Sequence, residues 1–66
     1  MKITLNGKET AVEDGKTLQA LLKDMGIAPE LIACELNQAI VRRKDFAGLK
    51  ISEGDILEII QMIGGG

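Results

Sequence analysis

The sequence predicts an α+β domain in which one main helix packs on one face of a mixed sheet of four to five strands. Apolar and polar residues alternate over residues 1–6, as in a strand, and residues 56–63 form an apolar run that only Glu58 and Gln61 interrupt. Residues 18–25 carry apolar residues at helical spacing. The chain has 66 residues, enough for one domain with a modest core. Because one helix covers only one face of a sheet, this order of segments favours two layers.

The chain opens with a predicted hairpin. Residues 1–6 alternate, so that Met1, Ile3 and Leu5 share one face. Asn6-Gly7 is a strong hairpin signal, since both residues tolerate a positive φ. Residues 8–13 then return as the second predicted strand.

A single helix follows the hairpin. Thr17 is suited to the N-cap, where its hydroxyl can accept from a free amide of the first turn. Four residues at positions i, i+3, i+4 and i+7 form one apolar stripe: Leu18, Leu21, Leu22 and Met25. Gly26 can adopt the left-handed conformation that ends a helix, and Pro29 cannot prolong it.

The second half of the chain predicts three more strands. Residues 31–36 and 39–41 flank a turn at Asn37-Gln38. Residues 42–50 are irregular or form a single helical turn, with Phe46 and Leu49 pointing inward. The last strand spans residues 56–63 and most naturally fills the centre of the sheet. This order is that of the β-grasp, or ubiquitin-like, fold.

The last strand is apolar on both faces, as in strands that are buried on both sides. Leu57 and Ile59 share one face, and Ile56, Ile60 and Met62 share the other. A single helix leaves one of these faces uncovered, and an exposed apolar patch is a candidate interaction site. We therefore predict a partner-binding surface formed by Ile60, Met62 and Ile63. In the alternative, the loop residues Phe46 and Leu49 fold over this face.

Three glycines end the sequence, so we predict a domain over residues 1–63 and a flexible tail over residues 64–66. Gly64 and Gly65 have no side chains and would pass through a narrow channel into another protein's active site. Gly66 would carry an ionised carboxylate, which needs activation before it can react as an acyl group. Taken alone, the run of glycines is also compatible with a frayed end without function.

The composition argues against several other functions. The net charge is −2 and Phe46 is the only aromatic residue, whereas single-stranded nucleic-acid binders combine a basic groove with stacking aromatics. The chain has no histidine and one cysteine, Cys34, which is in step with apolar strand residues and is predicted to lie in the core. We expect no metal site, no catalytic residue, no bound cofactor, no membrane segment, a cytoplasmic location and a monomeric free state.

Five segments of the chain match the pattern of a known family in order and spacing. They are Ile3-Thr4-Leu5-Asn6-Gly7, Gly15-Lys16-Thr17-Leu18 before Leu21-Leu22, Glu35-Leu36-Asn37-Gln38-Ala39-Ile40-Val41, Glu53-Gly54-Asp55-Ile56-Leu57-Glu58-Ile59-Ile60 and Ile63-Gly64-Gly65-Gly66. Over essentially its whole length the chain resembles the ThiS family of sulfur carriers in thiamin biosynthesis. Arg42 departs from the pattern, because the family often has proline after the position of Val41.

The resemblance implies a mechanism. An E1-like adenylating enzyme of the ThiF type would activate the Gly66 carboxylate with ATP. Sulfur that a cysteine desulfurase takes from cysteine would then replace the adenylate and leave a thiocarboxylate on Gly66. A thiazole synthase of the ThiG type would receive this sulfur.

Two alternatives share the fold. The small subunit of molybdopterin synthase (MoaD-like) also ends in Gly-Gly, but it often has a Pro-Pro pair where this chain has Gln61-Met62. The other alternative is a ubiquitin-like modifier or interaction module, which would form a Gly66–lysine conjugate if it acts as a modifier.

Overall fold

The computed structural model describes residues 1–62, which contain one α-helix and five strands. The elements, in chain order, are β1 (Lys2–Leu5), β2 (Lys8–Ala11), α1 (Leu18–Asp24), β3 (Ile32–Leu36), β4 (Ala39–Val41) and β5 (Ile56–Gln61). Short 3₁₀ turns at Pro29–Leu31 and Arg43–Asp45 precede β3 and follow β4. All five predicted strands are present, and their described ends agree with the prediction within two residues. The predicted end of the last strand, residue 63, lies outside the described residues.

The strands form one sheet in the order β2-β1-β5-β3-β4. β5 lies in the centre, where it runs parallel to β1 and antiparallel to β3. The two remaining pairs, β1–β2 and β3–β4, are antiparallel hairpins. The predicted mixed sheet, with the last strand at its centre, is confirmed.

Both hairpins turn on two residues with positive φ. In the first hairpin these are Asn6 (φ 49°) and Gly7 (φ 80°), and in the second Asn37 (φ 52°) and Gln38 (φ 73°). Positive φ at both central residues matches the right-handed twist of the flanking strands. Asn6-Gly7 has the preferred chemistry for this turn, whereas Gln38 adopts it at some steric cost.

Helix α1 is capped at both ends. The Thr17 hydroxyl accepts a hydrogen bond from the Ala20 amide at 3.1 Å, as predicted. At the other end Gly26 has a φ of 71°. The Gly26 amide donates to the Lys23 carbonyl at 3.0 Å, and the Ile27 amide donates to the Leu22 carbonyl at 2.9 Å. This pair of bonds is the Schellman motif, which satisfies carbonyls that the helix leaves free.

The core lies between α1 and one face of the sheet. Ten buried apolar residues form it: Ile3, Val12, Leu18, Leu21, Leu22, Ile32, Cys34, Phe46, Ile51 and Leu57. The helical stripe contributes its three leucines, but Met25 is 42% exposed. The stripe therefore ends earlier than predicted, because Met25 is the C-cap and lies beyond the last full turn.

The loop after β4 belongs to the helix side. Phe46 is buried and Leu49 packs against the core, as predicted. Their carbonyls accept hydrogen bonds from the start of the helix, from Gln19 at 3.1 Å and from Leu18 at 2.9 Å. These contacts hold the loop beside α1. The alternative in which Phe46 and Leu49 cover the other face of β5 is therefore wrong.

Candidate functional site

The face of the sheet opposite α1 carries exposed apolar side chains. Strand register places Ile60 of β5 beside Ala33 of β3, and Ile40 of β4 beside Glu35 of β3. We call this surface the open face and define it by four side chains: Ile40 (75% exposed), Ile56 (49%), Ile60 (47%) and Met62 (51%).

These four side chains leave hydrophobic area in contact with water, and exposed hydrophobic area is a candidate interaction site. Two of them, Ile60 and Met62, belong to the predicted partner-binding surface, and their side chains are accessible. Their contact with a partner stays a prediction. Ile63, Gly64, Gly65 and Gly66, to which we assigned the rest of this surface and the tail, lie outside the described residues.

Two carboxylates lie opposite one another in the middle of the open face. Glu35 of β3 and Glu58 of β5 are Cα partners in the antiparallel ladder. Like charges in this position destabilise a sheet, and no ion pair joins either residue to a cation among residues 1–62. The sequence pattern alone did not reveal this pair, because it depends on the register between two strands that are distant in the chain.

Asn6 has a second role that its turn position did not indicate. The β1–β5 ladder contains only two residue pairs, Thr4–Ile56 and Leu5–Leu57. Beyond it, the Asn6 amide donates to the Leu57 carbonyl at 2.9 Å, and the Asn6 side-chain oxygen Oδ1 accepts from the Ile59 amide at 2.7 Å. The side chain thus replaces one backbone carbonyl where β1 has turned away.

A cleft of about 330 Å³ opens on the helix side next to Asn6. Its walls combine the end of α1 with the ends of β1, β3 and β5, and its lining residues are Asn6, Met25, Ile27, Ile32, Ile59 and Gln61. Four of these six side chains are apolar and none is titratable. The cleft is therefore suited to receive an apolar side chain rather than to perform acid–base chemistry.

Cys34 lies in the core, as predicted, with no exposed area. Burial raises the pKa of its thiol, since the thiolate would lose its hydration. The thiolate is the reactive form of cysteine. The structure therefore assigns Cys34 to packing rather than to sulfur chemistry.

We expect Cys34 of the native protein to react with a thiol reagent at least about 100-fold more slowly than in the unfolded chain, because access requires opening of the core. The rate of colour release from an aromatic disulfide reagent, measured with and without denaturant, checks this. Equal rates in the two conditions would show that Cys34 is accessible and reactive in the fold.

Two broader features concern only the described residues. No group of three or more His, Cys, Asp or Glu side chains among residues 1–62 could hold a metal ion. Within the same part of the chain, no helix has the length and apolar character needed to cross a membrane.

Comparison with known proteins gives consistent matches over the whole chain. The profile of the ThiS family matches residues 2–66. The chain is 30% identical over 64 residues to the sulfur carrier protein ThiS of Thermus thermophilus, covering 97% of this chain and 98% of that protein. The crystal structure of a thiamine biosynthesis protein (ThiS) from Geobacter metallireducens superposes with a TM-score of 0.87 at 30% identity, covering 100% of both chains.

Two other relatives are much longer than this chain. It is 44% identical over 66 residues to a thiazole synthase of Magnetococcus marinus and 38% identical over 66 residues to one of Paramagnetospirillum magneticum. The match includes 100% of this chain and only 20% of either enzyme. The chain thus spans about a fifth of the length of these two thiazole synthases.

Proposed function

The chain belongs to the ThiS family, and on this premise we propose that it is a sulfur carrier of thiamin biosynthesis. The observation that carries the proposal is the family match over residues 2–66, which includes the terminal glycines together with the fold. The similarity over nearly the full length of a named sulfur carrier supports the same function.

The proposed chemistry takes place on the carboxylate of Gly66. A carboxylate oxygen attacks the α-phosphate of ATP in an E1-like adenylating enzyme of the ThiF type, and pyrophosphate leaves. The resulting acyl-adenylate is an electrophile, and the terminal sulfur of a persulfide, which a desulfurase forms with sulfur from cysteine, displaces AMP from the carbonyl carbon to give an acyl disulfide. A thiol then attacks the partner sulfur of this acyl disulfide, so that a new disulfide forms and the sulfur on Gly66 leaves as an anion. The product is a thiocarboxylate, which donates its sulfur to a thiazole synthase of the ThiG type.

The fold suits a carrier whose own side chains perform no chemistry. β5 is paired with β3 over residues 57–61 and with β1 at its first two residues, so the sheet supports the strand that precedes the tail. The glycines at positions 64–66 add reach without side chains. The open face lies on the same strand, so a partner that binds Ile60 and Met62 also receives the chain end.

Thiazole synthase is the partner for which the comparisons give most support. In two relatives, a region similar to the whole of this chain is part of a protein named thiazole synthase. Physical linkage of two regions in one chain raises their effective concentration, an advantage where one must meet the other repeatedly. We propose that this chain binds a thiazole synthase directly, through the open face and the residues that follow it.

The proposal is tested by incubating the chain that ends at Gly66 with ATP, a ThiF-type enzyme, cysteine, a cysteine desulfurase and a thiol reductant. Intact mass should increase by the difference between one sulfur and one oxygen, and fragmentation should place the change on Gly66. Omission of ATP is the control. An unchanged mass, with an enzyme that modifies its own carrier in the same reaction, would contradict the proposal.

Ile60→Glu should weaken binding to the thiazole synthase at least about ten-fold, because a charge enters an apolar contact that becomes desolvated. The free energy of unfolding should change little, since Ile60 is already 47% exposed. The matched control is Ala11→Glu, which places the same charge on the exposed outer strand β2. Titration calorimetry measures binding and urea unfolding measures stability. If Ile60→Glu unfolds the domain, Ile60 belongs to the core instead.

A further inference from the structure

The backbone groups of β5 alternate between its two neighbours. The Met62 amide donates to the Leu31 carbonyl at 3.0 Å, which continues the β3 side of the ladder. The Asn6 amide donates to the Leu57 carbonyl, and the Ile59 amide donates to Asn6 Oδ1, both on the β1 side. The backbone amides and carbonyls of residues 58, 60 and 62 therefore point toward β3, and those of residues 57, 59 and 61 point toward β1.

β5 extends further than β1 does. β1 ends at Leu5, and the chain turns away at Asn6-Gly7. The row beside Gln61, where β1 would continue if it were longer, therefore holds no other strand among residues 1–62. Three backbone groups face this row without a partner among residues 1–62: the Gln61 amide and the carbonyls of Ile59 and Gln61. We call this stretch the free edge of β5.

Unpaired donors and acceptors at strand spacing form a template for another extended chain. The free edge is short, because the Asn6 side chain already accepts from the Ile59 amide at its β1 end. It therefore accommodates about three residues of an added strand. The cleft adjoins the edge on the helix side, where Ile59 and Gln61 are among its lining residues. Successive side chains of an added strand point to opposite faces, so alternate ones point toward the cleft.

We propose that an extended segment of the thiazole synthase adds to the free edge of β5 in line with β1 and places an apolar side chain in the cleft between Met25, Ile27 and Ile59. This inference rests on the proposed function, since it assigns a binding mode to the proposed partner. Gly66 lies five residues beyond Gln61, a reach of at most about 18 Å. Strand addition would hold Gln61, from which this distance is measured, in a fixed position on the thiazole synthase.

Amide hydrogen exchange tests the inference directly. In the free protein the Gln61 amide should exchange rapidly, and in the complex with thiazole synthase its exchange should slow at least about ten-fold. The internal control is the Met62 amide, which already donates to Leu31. Chemical-shift changes elsewhere in the protein report complex formation independently of Gln61.

A proline substitution gives the matching binding test. Gln61→Pro removes the amide that faces the free edge together with the side chain that lines the cleft, and proline is tolerated in a strand where the lost amide faces solvent. Gln61→Ala is the reference variant, because it loses the same cleft-lining side chain but keeps the amide. Gln61→Pro should bind thiazole synthase about 3- to 10-fold more weakly than Gln61→Ala, the range for one hydrogen bond. Urea unfolding of both variants verifies that the domain remains folded.

Each alternative result overturns the inference in a recognisable way. A complex that forms without protection of Gln61 rejects strand addition and leaves the proposed function intact. Slow exchange of the Gln61 amide in the free protein rejects the inference too. If this protection increases with protein concentration, a second copy of this chain occupies the free edge. If the protection is lost when residues 63–66 are removed, the chain's own end occupies it. Failure to form any complex contradicts the proposed partner as well.

Discussion

Removal of Gly66 is expected to lower the rate of thiocarboxylate formation at least about 100-fold. The shortened chain still ends in a carboxylate, now on Gly65, but that group is withdrawn by about 3.3–3.6 Å. A misplacement of about 1 Å in an active site can cost about 100-fold in rate. Intact-mass measurement of the thiocarboxylated fraction over time gives the result. Stability should not change, because the core residues all lie between Ile3 and Leu57.

A second variant separates the effect of the length of the tail from the effect of its width. Gly65→Leu keeps the length of the chain and adds a branched side chain next to the reacting carbonyl. If the glycines serve passage through a narrow channel, this variant should fail as Gly66 removal does. Normal thiocarboxylate formation in both variants would show that the adenylating enzyme does not require this ending. If only Gly66 removal abolishes thiocarboxylate formation, the enzyme requires the length of the tail. If only Gly65→Leu abolishes it, the enzyme requires a narrow tail.

Local patterns in the sequence were sufficient to predict the fold. Each local signal depends on residues within a few positions of one another: the alternation in β1, the apolar run in β5, the positive φ of the Asn6-Gly7 turn and the Thr17 cap. The position of β5 in the centre followed from the order of the elements along the chain. The helix end at Gly26 was predicted as well, but the apolar stripe did not show that Met25, as the C-cap, is 42% exposed.

The features of the candidate site that the sequence did not reveal depend on register between distant segments. Glu35 and Glu58 are ordinary strand residues until the β3–β5 pairing places them opposite each other. Asn6 is a turn residue in any local pattern, and its bond to the Ile59 amide joins positions 53 residues apart. The free edge of β5 likewise exists only because β1 is shorter than its parallel neighbour. Each of these relations becomes visible only when the register between the strands is known.

Leu57→Ala should lower the free energy of unfolding by about 2–5 kcal/mol. Leu57 is fully buried in the central strand, between Leu5 of β1 and Leu36 of β3, so truncation removes apolar contacts and leaves a cavity. At about 0.05–0.15 kcal/mol per residue, a chain of 66 residues has only about 3–10 kcal/mol of stability in total. Urea unfolding should therefore show a midpoint lowered by a large fraction of its value in the parent chain.

The neighbouring residue provides the control, because Ile56→Ala removes the same number of carbon atoms from the other face of β5. Ile56 is 49% exposed, so this change should cost about 1 kcal/mol or less. The contrast between the two variants measures how far the open face is free of packing in solution. If Ile56→Ala costs as much as Leu57→Ala, the open face is covered in the free protein. A covered face would have to be uncovered before a partner could bind there, and the effect of Ile60→Glu on affinity would then include the cost of that opening.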